Sequence, residues 1–282
     1  MAFSTPSTAY SRDLGDELRR LRETCTELNA AKMAVRLGWD PSKVSNLEHG
    51  KARPSEVDLV QFLTLCGKDV DYFEHFKRRY RNAFEEYIVQ VPGNLRTLAL
   101  AESTATKVFS YDVLTVSGLL QTREYAEGVF RRSGFVVAER IPELVQIRAD
   151  RQAILRKHNR PECVFFLHEL ALRQRFGDDQ VMEDQYLQLL FNVHMIRIVP
   201  ADVPAISAGL MLFEFDKAPP VAHHDSDLAK LFVQDPGAIV RTRLIFNRLD
   251  EIALDEQQSR EKLAEYVSAP REELDVPGPH LA

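Results

Sequence analysis

Asp40-Pro41-Ser42-Lys43-Val44-Ser45-Asn46-Leu47-Glu48-His49-Gly50-Lys51-Ala52-Arg53-Pro54 is the stretch whose reading decides the fold of the N-terminal part of the chain. Aspartate followed by proline is an N-cap with proline at the first helical position, where the missing amide hydrogen has no helical partner to lose. The stretch therefore predicts a helix from Pro41 to His49, closed by Gly50. Val44 and Leu47 face inward on it. Ser42, Lys43, Ser45 and Asn46 remain outward, all types that hydrogen-bond to base edges or phosphates.

Upstream, residues 29–37 place Ala30, Ala31, Met33, Ala34 and Leu37 on a short helix that stops at Gly38, a residue suited to the left-handed conformation after a helix end. Residues 13–23 carry Leu14, Leu18 and Leu21 at spacings of a first amphipathic helix, with Ser11 or Asp13 as its cap. Two short helices joined through Gly38 and Trp39 have helix-turn-helix geometry, in which the second helix enters the major groove. Trp39 is expected to pack in the core as a staple between them. Downstream, residues 55–65 predict a fourth helix with Val57, Val60, Leu63 and Thr64 at helical spacing. Residues 69–87 predict a longer helix through Phe73, Phe76, Tyr80, Phe84 and Tyr87 that joins two domains, its basic run Lys77, Arg78, Arg79 and Arg81 reading as a solvated face.

Charge bounds the function. The whole chain carries −6, but residues 1–68 hold ten Lys/Arg against nine Asp/Glu, a net of +1 that leaves −7 on the rest. A nearly neutral reader on an acidic body points to DNA contact through a small specific face, with affinity that leans on dimerisation. Three cysteines without framework spacing fit unpaired thiols in a reducing compartment. No leader-like apolar segment opens the chain, and no run approaches the roughly 20 apolar residues of a membrane span, so a cytoplasmic location without membrane contact is expected.

Beyond Val91-Pro92-Gly93 the pattern alternates in type. Helices are predicted over residues 94–103, 122–133, 139–157, 178–191, 236–249 and 255–267. Strands are predicted over 106–110, 163–167, 195–199, 210–215 and 228–233. The fold class is thus a mainly α N-terminal helix-turn-helix bundle plus a larger α+β C-terminal domain. Its expected bounds are a DNA-binding domain over 1–68, a linker helix over 69–92, a regulatory and dimerisation domain over 93–268, and a disordered tail over 269–282. His223-His224-Asp225, His168-Glu169 and His194 are ligand-type residues without the spacing of a zinc site. No Gly-rich phosphate loop, nucleophile elbow or cysteine–histidine pairing is evident either, so no metal, no cofactor and no catalytic residue is assigned.

Two resemblances sharpen this. Leu14 to Glu23, Met33-Ala34 with Leu37-Gly38, and the run from Ser42 to Pro54 resemble the Xre/Cro-repressor type of helix-turn-helix. That resemblance implies base contacts from Ser42, Lys43, Ser45 and Asn46, phosphate contacts from Lys51 and Arg53, and Asn29 as cap of the second helix. The chain departs from the pattern at Ala30, where the family often has a backbone-touching glutamine. Val116-Ser117-Gly118-Leu119-Leu120-Gln121-Thr122 is similar to the Val-Pro-Gly-Leu-Leu-Gln-Thr signature of the actinobacterial antitoxin-like, WhiJ-like regulators, with Ser117 in place of the proline. His168-Glu169-Leu170-Ala171-Leu172-Arg173 resembles that group's acidic-x-Ala-Leu-Arg segment. The resemblance implies a regulator of development or antibiotic production, often encoded beside a small partner protein. By its residues, the 118–122 stretch suits a turn into a helix capped by Thr122 with Tyr125 packed inward, a role in structure or in ligand binding alike.

The expected function is a homodimeric transcriptional regulator on double-stranded DNA with an inverted-repeat operator, controlled through its C-terminal domain by a small partner protein or ligand. The alternative is an antitoxin-like interaction module that neutralises a small partner protein.

Overall fold

The computed structural model describes residues 7–90, 95–204, 209–226 and 228–268; the expected tail, 269–282, lies outside them. Its first five helices are α1 (Ala9–Cys25), α2 (Ala30–Leu37), α3 (Pro41–Glu48), α4 (Glu56–Leu65) and α5 (Val70–Tyr80). Strand β1 (Tyr87–Gln90), helix α6 (Arg96–Thr104), strand β2 (Lys107–Asp112) and helices α7 (Arg123–Ser133) and α8 (Ile141–Gln152) follow. Next come β3 (Glu162–His168), α9 (Glu169–Arg173), α10 (Asp179–Phe191), β4 (Ile196–Val199) and β5 (Leu210–Glu214). The chain continues through β6 (Val221–Asp225), β7 (Lys230–Val233), α11 (Pro236–Ile252) and α12 (Glu256–Ser268). The helical N-terminal region and the mixed α and β C-terminal region match the fold class read from sequence.

Two compact units are present, one of residues 1–104 with 214–239, the other of 105–213 with 240–282. In the first, Leu14, Leu18, Met33, Ala34, Val44, Leu47 and Phe62 form a buried helical core. Helix α1 starts on Thr8, whose hydroxyl accepts from the Ser11 amide at 2.9 Å while Ser11 Oγ accepts from the Thr8 amide at 2.9 Å. The cap is therefore Thr8, ahead of the expected Ser11 or Asp13. Asp13 is instead buried, held by Arg96 Nε at 3.3 Å and by the Thr97 hydroxyl at 2.8 Å. Strand order in this unit is β1-β7-β6, antiparallel throughout, with Tyr87 opposite Val233 and Ala222 opposite Val233 on the other side.

Three elements of the first unit differ from the sequence reading. Helix α4 buries Leu59, Phe62, Leu63 and Cys66, whereas Val57, Val60 and Thr64 lie exposed. Helix α5 stops at Tyr80, seven residues short of Tyr87, because a turn at Asn82 redirects the chain into β1. Val221-Ala222-His223-His224-Asp225, read only for its ligand types, is strand β6. Of the basic run on α5, Lys77 reaches Glu56 at 2.7 Å and Arg79 reaches Glu17 at 2.6 Å; Arg78 and Arg81 are exposed.

In the second unit the strand order is β5-β2-β3-β4, and β2-β3-β4 run parallel, with Phe109 opposite Val164 and Phe165 opposite Ile196. Parallel strands are buried on both faces and so read as continuous apolar runs, as Cys163-Val164-Phe165-Phe166-Leu167 does. Helices α7 and α8 carry the first crossover and α9 and α10 the second. The long helix expected over 139–157 is α8 flanked by single tight turns at Ala138–Arg140 and Ala153–Arg156. Helix α9 was not foreseen.

Candidate nucleic-acid interface

Punctuation of α2 and α3 places the candidate residues. Asn29 Oδ1 accepts from the Lys32 amide at 2.9 Å, which starts α2. The helix ends at Gly38, at φ +69, and the Trp39 amide returns to the Ala34 carbonyl at 2.8 Å. Asp40 then accepts from the Ser42 amide at 2.8 Å with Pro41 at the first turn of α3. The Ser42 hydroxyl and amide hold the Asp40 carboxyl below its ordinary range.

Helix α3 is anchored by more than Val44 and Leu47. Glu48 is buried and receives a two-pronged guanidinium, Arg22 Nε to Oε1 at 2.6 Å and Nη2 to Oε2 at 3.0 Å. Arg22 Nη1 also donates to the Leu28 carbonyl at 3.0 Å, so one side chain ties α1, the α1–α2 loop and α3 together. Gly15 and Gly50 allow α1 to cross the end of α3 at backbone contact: a Cβ on Gly15 would lie 2.6 Å from the Gly50 nitrogen.

With that inner face fixed, Ser42, Ser45, Asn46 and His49 form one exposed stripe, spaced i, i+3, i+4 and i+7. His49 was missed in the sequence reading although it completes this spacing. Its Nδ1 donates to the Ser45 carbonyl at 2.7 Å, leaving Nε2 toward solvent. Lys43 does not join the stripe. Its ammonium sits 2.6 Å from Asp58 Oδ1 and 4.3 Å from the centre of the Trp39 ring. Burial pushes the Asp58 carboxyl up, but Lys43 and Ser55 outweigh it and hold the group below its usual range. Trp39 is half-buried rather than a core staple, and its indole N–H donates to Gln61 Oε1 at 3.2 Å.

Around the stripe, Lys51 is exposed on the exit loop, its amide bonded to the Asn46 carbonyl at 2.8 Å. Arg53 lies over the Phe84 ring at 5.3 Å and 3.6 Å from Glu85. Lys32 and Arg36 on α2 are also exposed, and among the described residues neither they nor Lys51 has an ion-pair partner. Backbone amides, small hydroxyls, an amide side chain and loose cations at the end of a rigid helix are what base-edge and phosphate contacts require.

A model of a helix-turn-helix domain matches residues 13–76. A second model, described as "Domain of unknown function (DUF5753)", matches residues 95–265, more than half of the chain. The chain belongs to the DUF5753 family. No curated protein and no solved structure matched it. The helix-turn-helix domain supports a DNA-binding regulator, with DUF5753 as the region behind it. Among the described residues no helix is long and apolar enough to cross a membrane.

Within the DUF5753 region, the 116–122 segment is a turn held by three amide side chains. Gln121 Nε2 donates to the Val116 carbonyl at 2.6 Å, and Gln152 Nε2 donates to the Gly118 and Gln121 carbonyls at 2.9 and 2.8 Å. Gln185 donates to the Leu120 carbonyl at 3.0 Å and accepts from the Thr122 amide at 2.8 Å. Thr122 caps α7, and Tyr125 is fully buried with its hydroxyl accepting from the Val116 amide at 3.2 Å, both as expected from sequence. Gln185→Ala is expected to strand the buried Leu120 carbonyl and the part-buried Thr122 amide and lower stability by about 2–4 kcal/mol, read by chemical denaturation. A loss within 0.5 kcal/mol, the size of ordinary surface changes, would contradict it.

Two of the ligand-type histidines, His168 and His223, have structural partners. His168 caps α9 through Nδ1 and reaches the Val203 carbonyl at 3.0 Å through Nε2. His223 stacks on Phe232 at 4.5 Å. Among the described residues no three His, Cys, Asp or Glu side chains converge to hold a metal.

Proposed function

We propose that this chain is a non-enzymatic, sequence-specific transcriptional regulator that acts in the cytoplasm as a homodimer on an inverted-repeat operator, controlled through its DUF5753 region by a small partner protein or ligand. The observation that carries the reading is the exposed stripe Ser42, Ser45, Asn46 and His49 on a capped, internally anchored α3. The Xre/Cro-like run of residues from Ser42 to Pro54 supports the same assignment. Four side chains over about two turns of helix read few base pairs, and the reader carries little net charge, so two copies on a two-fold site supply the affinity.

Control is supported by how α1 is held. Helix α6 opens the DUF5753 match, and within the first unit its Arg96 and Thr97 grip Asp13 while Arg96 Nη1 also lies 3.3 Å from Glu17. Residues of the returning segment hold the start of the same helix: the Ala9 amide donates to Gln234 at 2.5 Å, and Arg12 lies over the Phe215 ring at 4.9 Å. A partner that shifts α6 or the returning segment therefore acts on α1, and α1 carries α3 through Gly15 and Arg22.

Chromatin capture with the full chain is expected to enrich an inverted repeat with half-sites about one helical turn apart. Asn46→Ala is expected to cost roughly 1–3 kcal/mol on that site and relax one base position, whereas Lys51→Ala weakens all sequences alike. Absence of any enriched motif, together with a tight protein partner, would replace this reading by the interaction module.

A further inference from the structure

Residues 156–160, Arg-Lys-His-Asn-Arg, run from the last residue of the turn that follows α8 toward strand β3, and every one of them is exposed. Two successive turns, Lys157 N–H to the Ile154 carbonyl at 3.3 Å and Arg160 N–H to the Lys157 carbonyl at 3.2 Å, splay the five side chains outward. We infer that this turn is a second contact to the DNA phosphate backbone, made by Arg156, Lys157 and Arg160; the inference rests on the DNA-binding reading above.

What marks the turn is three cations within five residues and, among the described residues, no carboxylate on any of them; scattered arginines of the second unit such as Arg123, Arg132 and Arg197 reach neutral oxygens instead. Elsewhere in the second unit Arg131, Arg140, Arg173, Arg175, Arg248 and Arg260 each pair with a carboxylate three or four residues away. Lys107 takes Glu162, the first acidic residue after the turn, at 2.8 Å. Among the described residues Arg156, Lys157 and Arg160 have no carboxylate partner, although the chain beyond residue 68 carries a net −7. Three crowded cations left unpaired on an acidic body form a local positive field directed at a polyanion.

The composition selects among polyanions. Guanidinium forks, an imidazole and an amide suit phosphate oxygens. A membrane surface would call for apolar residues to insert or a larger basic cluster, and the five residues contain no apolar side chain. DNA held by the helix-turn-helix of the same chain is moreover present at high effective concentration.

The test compares the full chain with the variant Arg156→Gln/Lys157→Gln/Arg160→Gln on a long random-sequence duplex over a KCl series. Each lost phosphate contact removes about 0.9 from the slope of log K against log salt, so the triple variant is expected to show a slope shallower by roughly 3, with an unchanged melting temperature. An unchanged slope in a chain that still binds the duplex overturns this inference and leaves the helix-turn-helix reading intact. Failure of the parent chain to bind any duplex overturns both. Loss of binding to phosphatidylserine vesicles with an unchanged DNA slope reassigns the turn to a membrane surface and overturns it as well.

Discussion

Gly50→Ala is expected to be the most damaging single-atom addition in the N-terminal unit, lowering its stability by more than about 4 kcal/mol. Gly50 has φ +62, and a Cβ there would lie 2.3 Å from the carbonyl carbon and oxygen of Ser11 and 2.5 Å from the Arg12 nitrogen. Those atoms are backbone inside α1 and cannot turn aside as a side-chain tip would. Moving α1 away would also break the bond from Ser11 Oγ to the Gly50 carbonyl at 2.8 Å. Gly38→Ala is the internal control. It has the same left-handed conformation, φ +69, with nothing within 4 Å of the added carbon, so it carries the conformational cost alone, about 1–2 kcal/mol. Chemical denaturation of both variants separates the terms. Equal losses would show that the close crossing of α1 over α3 contributes nothing.

The second large effect is expected at Glu48. Its side chain and that of Arg22 are 3% and 8% exposed, so neither charge can turn to water when its partner is removed. Glu48→Ala is expected to cost about 3–5 kcal/mol because it leaves the buried guanidinium with only the exposed Glu23, 3.3 Å from Nη2, as a carboxylate partner. Arg22→Met combined with Glu48→Leu removes both charges and is expected to recover most of that loss in the same denaturation experiment. A single substitution costing less than about 1 kcal/mol, the worth of an exposed ion pair, would mean that the pair is solvated after all.

The pair also shows how far sequence alone reaches. Caps, prolines and left-handed glycines act within a few residues, which is why α2, the turn and α3 were legible from Asp40-Pro41 and Gly38. Partners distant in sequence were not. Glu48 had no role assigned from sequence, because its partner Arg22 lies twenty-six residues earlier. Lys43 looked like a base-reading side chain, and the groups that hold it in this structure, Asp58 of α4 and the Trp39 ring, were not legible as its partners. His49 was overlooked because the predicted helix was read as ending there, although its spacing from Ser42 and Ser45 marks it.

Errors in the elements have equally specific causes. Val57 and Val60 imitate an inward stripe on α4, but the larger Phe62 with Leu59 and Leu63 wins the core. Phe73, Phe76, Tyr80, Phe84 and Tyr87 keep helical spacing past the true end of α5 because the aromatic row continues through the turn: Phe84 packs tilted against Tyr80, ring centres 5.8 Å apart, while Tyr87 begins a strand. Strand β6 hid behind His223, His224 and Asp225. Its burial comes from neighbours in β7, among them Phe232 under the His223 ring and Lys230 paired with Asp225.

The most direct measurement is selection of bound duplexes from a random pool by the purified full chain, with sequencing of what is retained, repeated with Asn46→Ala. An enriched motif from the parent, relaxed at one base position by Asn46→Ala and otherwise unchanged, is the expected result. A pool that stays random with the parent chain, or a motif that Asn46→Ala leaves untouched at every position, would contradict base reading by the exposed face of α3.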